Sequence, residues 1–298
     1  METIGVDLGN CNIKTSKGII VPSLITRGEN YLISTGYQLE FNNEILIIGE
    51  GDYNLDKISK ENLLPMLCLA LGLSTKEEFV RIVLGLPINQ YRSKKDKMIE
   101  VIEDNKILNF KLNGVERTIY IEDAAIFPEG VATYYSLDVD KRRELIEKDL
   151  IVLDIGGRTT DIALLKAGKK RSVAKSTSLD VGMINIYNDM INEINSLYTL
   201  GLNIEDAEGI IKNGLEVDGE KKDTEFIKDI IRNNIERVFK ELNISYPVRT
   251  SPILVTGGGG RSFFKSIKRR YPSARMIEDN LFSNANGYKR VGEKLWID

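Results

Sequence analysis

Two aspartates, each closing an apolar run and each followed two residues later by glycine, set out the chemistry open to this chain. In the segment Leu150 to Leu165 an apolar strand ends at Asp154, Gly156-Gly157 makes the turn, and a second apolar strand follows Asp161. The two glycines carry no Cβ, so their amides can approach an anion closely, and the Thr159 and Thr160 hydroxyls can add donors. Asp154 would face the same anion. A bare carboxylate beside a polyphosphate is repulsive unless a divalent cation or its waters lie between them, so the pattern implies a nucleotide with magnesium.

The plan occurs twice. Near the start, TIGVDLGNCNIKTS runs through an apolar strand to Asp7, turns at Gly9-Asn10, and returns along Asn12, Ile13 and Lys14. Lys14 supplies a fixed positive charge that the other hairpin lacks. Two such hairpins far apart in sequence suggest two similar subdomains gripping one polyphosphate from opposite sides. A third cluster, SPILVTGGGGRSFF, carries a strand into Gly257, Gly258, Gly259 and Gly260 and then into a helix. Four glycines leave room for an adenine or ribose against the backbone, and the helix N-terminus turns its positive dipole end toward phosphate.

The elements that must position these groups read as follows. Strands are expected at Thr3–Leu8, Asn12–Thr15, Ile19–Leu24 and Tyr31–Ser34, with a Gln38–Ile48 hairpin turning at Asn42-Asn43. Glu61–Leu71 reads as a buried helix despite Pro65, Arg81–Leu86 as a strand, Lys94–Glu103 as a helix, and Ile107–Ile121 as a hairpin turning at Asn113-Gly114. Glu129–Leu137 is expected to be a helix, because Pro128 suits a helix N-terminus. Met183, Ile184, Tyr187, Met190, Ile191 and Ile194 recur at helical spacing, as do Phe226, Ile227, Ile230, Ile231, Ile235, Val238 and Leu242; both read as core faces. Glu205–Asn213 reads as a short helix.

The wording of five segments resembles the actin-like ATPase superfamily. Asp7-Leu8-Gly9-Asn10-Cys11-Asn12-Ile13-Lys14, Phe127-Pro128-Glu129-Gly130, Asp154-Ile155-Gly156-Gly157-Arg158-Thr159-Thr160-Asp161, Thr256-Gly257-Gly258-Gly259-Gly260 and Asn284-Ala285-Asn286-Gly287 look like its phosphate 1, connect 1, phosphate 2, adenosine and connect 2 motifs, in order. Within it, GNCNIK, IGGRTTD and the Pro128-Glu129 pair look most like bacterial plasmid-segregating actins of the ParM type. Heat-shock ATPases, longer sugar kinases and the membrane-anchored relatives FtsA and MreB fit less well.

The resemblance implies an α/β, ribonuclease H-like duplicated two-domain fold with nucleotide in the interdomain cleft. Domain I would cover 1–149, with 286–298 returning to it, and domain II 150–285. It implies ATP or ADP, with GTP possible, and Mg2+ held by Asp7 and Asp154. Glu129 would orient or deprotonate the attacking water, and Asp161 would hydrogen-bond the hairpin or approach that water. Lys212 would lie beside the ribose. The implied partners are further copies in a filament and a DNA-binding adaptor of the ParR type, with centromere-like DNA bound indirectly and no membrane. A monomeric small-molecule kinase or chaperone-like ATPase is the alternative, since fold does not fix function.

Composition narrows the choice. The chain has 298 residues, 42 % of them hydrophobic, and a formal net charge of -3, without the concentrated positive charge that non-specific duplex binding needs. It has no histidine, which removes Ser-His-Asp and Cys-His catalysis and His-ligated metals. Cys11 and Cys68 share no metal spacing. No apolar run nears bilayer length and no leader pattern opens the chain, so the expectation is a cytoplasmic protein. The runs Lys141-Arg142-Arg143, Lys169-Lys170-Arg171 and Lys268-Arg269-Arg270 read as solvated surface, with subunit or adaptor contacts as the other reading.

Overall fold

The computed structural model describes residues 1–28, 35–53 and 60–297. The strand expected at Tyr31–Ser34 lies outside the described residues.

The first half is built on a ten-stranded sheet. Its strands are β1 (Glu2–Leu8), β2 (Asn12–Thr15), β3 (Ile20–Pro22), β4 (Leu24–Arg27), β5 (Tyr37–Phe41), β6 (Glu44–Ile48), β7 (Asp52–Tyr53), β8 (Phe79–Leu86), β9 (Ile107–Leu112) and β10 (Val115–Pro128). They lie in the order β3-β2-β1-β8-β10-β9-β5-β6-β4-β7. The centre, β1-β8-β10, is parallel, and the flanking pairs are antiparallel. Helix α1 (Lys60–Ser74) is apolar on every side and fully buried from Leu63 to Leu71 against this sheet, Pro65 notwithstanding. Helix α2 spans Ile88–Glu103, starting six residues before the expected Lys94.

The run Ile19–Leu24 is not one strand. Ser23 breaks it, giving its hydroxyl to the Gly9 carbonyl at 2.7 Å and its amide to the Cys11 carbonyl at 2.8 Å. The chain thereby ties itself to the first hairpin turn, and β4 departs to pair with β6.

After the short helices α3 (Val131–Ser136) and α4 (Val139–Leu145) comes a five-stranded sheet. It contains β11 (Leu150–Ile155), β12 (Thr160–Leu165) and β13 (Val173–Leu179), then, later in the chain, β16 (Ile253–Thr256) and β17 (Arg275–Met276), ordered β13-β12-β11-β16-β17. Between β13 and β16 lie α5 (Met183–Tyr198), α6 (Ala207–Asn213), the hairpin β14 (Leu215–Val217) with β15 (Glu220–Lys222), and α7 (Phe226–Ser245). Both expected apolar stripes face cores. Met190, Ile191 and Ile194 of α5 join Ile210 and Ile227 in a small tip cluster, whereas Ile235, Val238 and Leu242 of α7 pack on the second sheet with Ile186 of α5. Helix α8 (Gly258–Arg270) lies beside α7, joined by the Arg270–Glu236 pair at 2.8 Å.

Helix α9 (Ser283–Leu295) returns to the first sheet and packs on β1, β8 and α3. The approach is close enough that a Cβ on Gly5 would collide with the Ala285 carbonyl, and one on Gly287 with the Ala132 carbonyl. The basic runs are not uniformly solvated: Arg171 is buried, donates to the Leu145, Lys148 and Lys166 carbonyls, and stacks over Tyr134.

Candidate functional site

Two hairpins aim their turns into one cleft of about 770 Å3, a size ordinary for a small-molecule site. The first is β1 and β2, in register so that Asp7 lies directly opposite Lys14. The second is β11 and β12, with Asp154 directly opposite Asp161. The two turns touch: a Cβ on Gly157 would collide with the Cys11 sulfur, so the second turn closes on the first only with glycine there.

The cleft is lined by Asp7, Gly9, Asn10, Asn12 and Lys14 from the first hairpin and by Asp154, Gly156, Gly157, Thr159 and Asp161 from the second. Glu129, Gly257, Gly258 and Gly259 complete the expected set. Three expected residues are elsewhere. Thr160 is fully buried and gives its hydroxyl to the Val181 carbonyl at 2.7 Å, because the strand alternation that exposes Thr159 and Asp161 turns it inward. Gly260 is buried in the first turn of α8 against Val255. Lys212 sits exposed in the last turn of α6, outside the cleft lining.

Glu129 reaches the cleft by a different route from the expected one. Strand β10 continues through Pro128, where it is still paired with Leu86 of β8, and the Glu129 amide donates to the Leu86 carbonyl at 2.9 Å. Gly130 turns the corner at φ 73°, and the helix begins only at Val131. Glu129 is therefore presented from the end of a strand, not from a helix first turn.

Charge is unevenly spread. Lys14 forms an ion pair with Asp7 at 3.0 Å. Burial pulls its ammonium pKa down, but Asp7, Asp154 and Glu129 outweigh that and hold it above its ordinary value. Asp154 is pushed up to about 6 by burial and then by Asp161, with Asp7 adding and Lys14 and Asn284 opposing. The Thr159 hydroxyl donates to Asp161 Oδ2 at 3.1 Å.

The glycine turn after β16 is required by its neighbours. Gly257 has φ 82°, and a Cβ on it would collide with the Ile155 carbonyl and with Asp154 Oδ1. Asn280 gives its Nδ2 to the Gly257 carbonyl at 2.7 Å. Beyond this turn the N-terminus of α8 opens on the cleft.

Several lining residues escaped the sequence reading. Asn284, at the start of α9, donates through Nδ2 to Asp154 Oδ2 at 3.1 Å and accepts on Oδ1 from the Gly130 amide, also at 3.1 Å, and from the Thr133 hydroxyl. It ties the second hairpin to the corner that carries Glu129. The Asn-Ala-Asn-Gly wording marks this segment, but only the fold shows which asparagine makes the bridge. Tyr187 occupies a core-facing position in the α5 stripe, yet its ring is half-buried at the cleft and its hydroxyl donates to Glu208 at 3.0 Å. Burial and then Glu208 hold that phenol well above its ordinary pKa. A tyrosine in an apolar stripe gives no such signal.

The donor set suits magnesium better than a caged metal. Among the described residues no group of three His, Cys, Asp or Glu side chains is gathered to hold an ion. Asp7 and Asp154 together offer what magnesium takes, one or two carboxylates beside phosphate oxygens and retained water. Among the described residues no helix is long and apolar enough to cross a membrane.

Residues 5–131 match the family described as actin-like proteins, N-terminal domain, and residues 152–269 match the archaeal actin homologue MreB-like C-terminal family. No curated protein matches the sequence. Among solved structures, the fold is similar to that of a non-polymerisable ParM quadruple mutant at 24% identity and TM-score 0.82, covering 98% of this chain and 99% of that one. It is similar to the ParM of a 15-stranded filament from Clostridium botulinum at 24% identity and TM-score 0.80, covering 99% and 100%. An archaeal actin homologue in complex with ADP matches at 21% identity and TM-score 0.81, again over 99% and 100%.

Proposed function

We propose that this chain, which belongs to the actin-like proteins, is a Mg-dependent ATP hydrolase that polymerises with nucleotide bound and comes apart after hydrolysis. The observation that carries this is the opposition of the two hairpins across one cleft, with Lys14, Asp7 and Asp154 converging from two different sheets. The same reading makes residues 1–149 with 286–298 one domain and 150–285 the other, so that nucleotide is gripped between them.

Hydrolysis of a γ-phosphate needs charge neutralisation and a water held in line behind phosphorus. Lys14 is the fixed cation beside the phosphates, and the Gly9 and Gly157 amides are the backbone donors; the Gly156 amide, expected among them, is instead held by the Thr159 carbonyl at 2.9 Å. Magnesium, when bound, neutralises phosphate oxygens; Asp7 and Asp154 would hold it, largely through water. Asn284 keeps the Asp154 carboxylate oriented. Glu129, fixed by its strand-end corner, orients or deprotonates the attacking water, and Asp161, held by Thr159, stands beside it. GTP could occupy the same cleft.

The solved ParM filament supports self-association as the output. Loss of the γ-phosphate removes contacts that bridge the domains and favours an arrangement that fits the assembly less well. Cargo would be plasmid or other DNA, reached through a DNA-binding adaptor of the ParR type in the cytoplasm. The test is sedimentation with Mg-ATP: the protein should pellet above a threshold concentration and release into the supernatant as ADP accumulates. A chain that stays monomeric at tens of micromolar, an order-of-magnitude choice for weak contacts, is instead a kinase or monomeric ATPase.

A further inference from the structure

We infer that the hydroxyl of Tyr288 holds an internal water behind Glu129, and that this water fixes the Glu129 carboxylate at the cleft. Tyr288 is thereby a positioning residue for hydrolysis. The inference rests on the role given to Glu129 above and says what holds that side chain in place.

Tyr288 stands on α9 one turn beyond Asn284 and on the same face. Its ring is fully buried in an apolar cluster with Val83 and Ala132. A phenylalanine would fill that space equally and bring no polar atom with it. The tyrosine instead carries in a hydroxyl that has no hydrogen-bond partner among the described residues. Native folds rarely leave a buried hydroxyl unsatisfied, and an internal water is the usual partner.

The fold also gives up a side chain to admit this group. Gly85 lies within β8, where glycine weakens a strand, and a Cβ there would collide with the Tyr288 hydroxyl and the adjoining ring edge. Space beside the hydroxyl follows from the ladder. Strand β1 keeps register with β8 only as far as Val6 opposite Leu84, whereas β10 continues to Pro128 opposite Leu86. The strands part at Gly85, which is partly exposed although Leu84 and Leu86 on either side of it are buried. Water can therefore reach the hydroxyl through the fork.

A buried water needs two or more polar partners. Burial first, and then the Glu129, Asp7 and Asp154 carboxylates in that order, hold the Tyr288 phenol well above its ordinary pKa, so it remains a donor. Of the three carboxylates, Asp7 is paired with Lys14, and Asp154 receives the Asn284 amide. Glu129 is the one joined to the fork itself, its own amide held by the carbonyl of Leu86, the residue after Gly85. The water accepts from Tyr288 and donates to Glu129. A hydrogen bond to the charged form keeps that carboxylate ionised and in place.

The experiment combines Tyr288→Phe with Glu129→Gln. Tyr288→Phe should lower the single-turnover rate of phosphate release about tenfold, a part of what a positioned base contributes. Calorimetric Mg-ATP affinity should stay within about twofold, the split expected of a group that acts only in the chemical step. The melting temperature of the nucleotide-free protein should not fall, because the ring still packs. With Glu129→Gln already present, adding Tyr288→Phe should change the rate by less than about twofold, since both act through one carboxylate. A crystal structure of the nucleotide-free protein should show an ordered water on the Tyr288 hydroxyl that the phenylalanine variant loses. A wild-type hydroxyl without that water overturns the inference, as does an unchanged rate in Tyr288→Phe while Glu129→Gln is slowed. A tenfold loss that persists in the Glu129→Gln background overturns it as well, because the hydroxyl would then serve Asp7 or Asp154. A Glu129→Gln protein that turns over normally overturns the role of Glu129 itself.

Discussion

The two hairpins share a backbone plan and differ at the cross-strand position beneath the turn. Opposite Asp7 stands Lys14, a buried ion pair at 3.0 Å; opposite Asp154 stands Asp161, a second carboxylate. A like-charged pair directly opposed in an antiparallel ladder is destabilising, and an opposed unlike pair is favourable. The first hairpin thus meets the cleft already neutralised, and the second meets it with charge to spare: burial first, and then the opposed Asp161, push the Asp154 pKa up to about 6. Two copies of one motif differ in charge: one brings its cation in the sequence, and the other, on the proposed function, would receive one.

Removing the resident cation should give the largest effect. Lys14→Met leaves Asp7, Asp154 and Glu129 without it, and breaking a buried pair costs about 3–5 kcal/mol. Mg-ATP affinity by titration calorimetry should fall by about 100-fold or more. An affinity within threefold of wild type would mean that the first hairpin is not the neutralised partner. Next in size, Glu129→Gln should bind ATP normally but release phosphate at least about tenfold more slowly, as loss of a positioned base does; an unchanged single-turnover rate would remove Glu129 from the chemistry.

The excess charge of the second hairpin predicts a gain as well as a loss. Asp154 sits at about 6 in the fold against an ordinary 3.8, so its ionisation opposes folding. The stability it contributes is fully present below about pH 4 and is lost as pH rises through 6. Asp154→Asn should therefore weaken Mg-dependent nucleotide binding while raising the melting temperature of the nucleotide-free protein by roughly 2–4 °C at pH 8. At pH 4 the two should melt together. A variant that melts lower at pH 8 would show that the opposed carboxylates are not in tension. The smallest change belongs to the expected residues that point elsewhere: Lys212→Ala should leave ATP affinity within about twofold, and a tenfold loss in calorimetry would bring α6 back to the nucleotide.

What could be read in the sequence and what could not divide along local and non-local physics. Both hairpins and the Gly257 turn are legible because a strand-ending aspartate, a glycine pair and a following strand are local, and the steric demand for glycine is set within a few residues. Glu129 was legible as a cleft residue but not in its setting: proline before glutamate suits a helix start, yet the ladder with β8 carries β10 through Pro128, and Gly130 makes the corner. Thr160 shows the limit of composition, since its type suits a phosphate donor and only strand alternation turns it inward. Asn284 was beyond reach as a bridge because its partners, Asp154 and Gly130, lie 130 and 154 residues away in the chain.

The return of α9 to the first sheet also sets an order of events during synthesis. Strand β1 ends at Leu8, and the helix that packs on it begins at Ser283. At about 5–20 residues per second, β1 waits roughly 15–55 s for the segment that covers it. Until then Gly5 lacks the helix that fits its bare Cα, and Asp154 lacks the amide of Asn284. Both halves of the cleft can be translated, and their sheets formed, while the bridge between them is still inside the ribosome. A nascent chain that has not yet released this helix therefore has both hairpins but not the asparagine that ties the second one to the Gly130 corner.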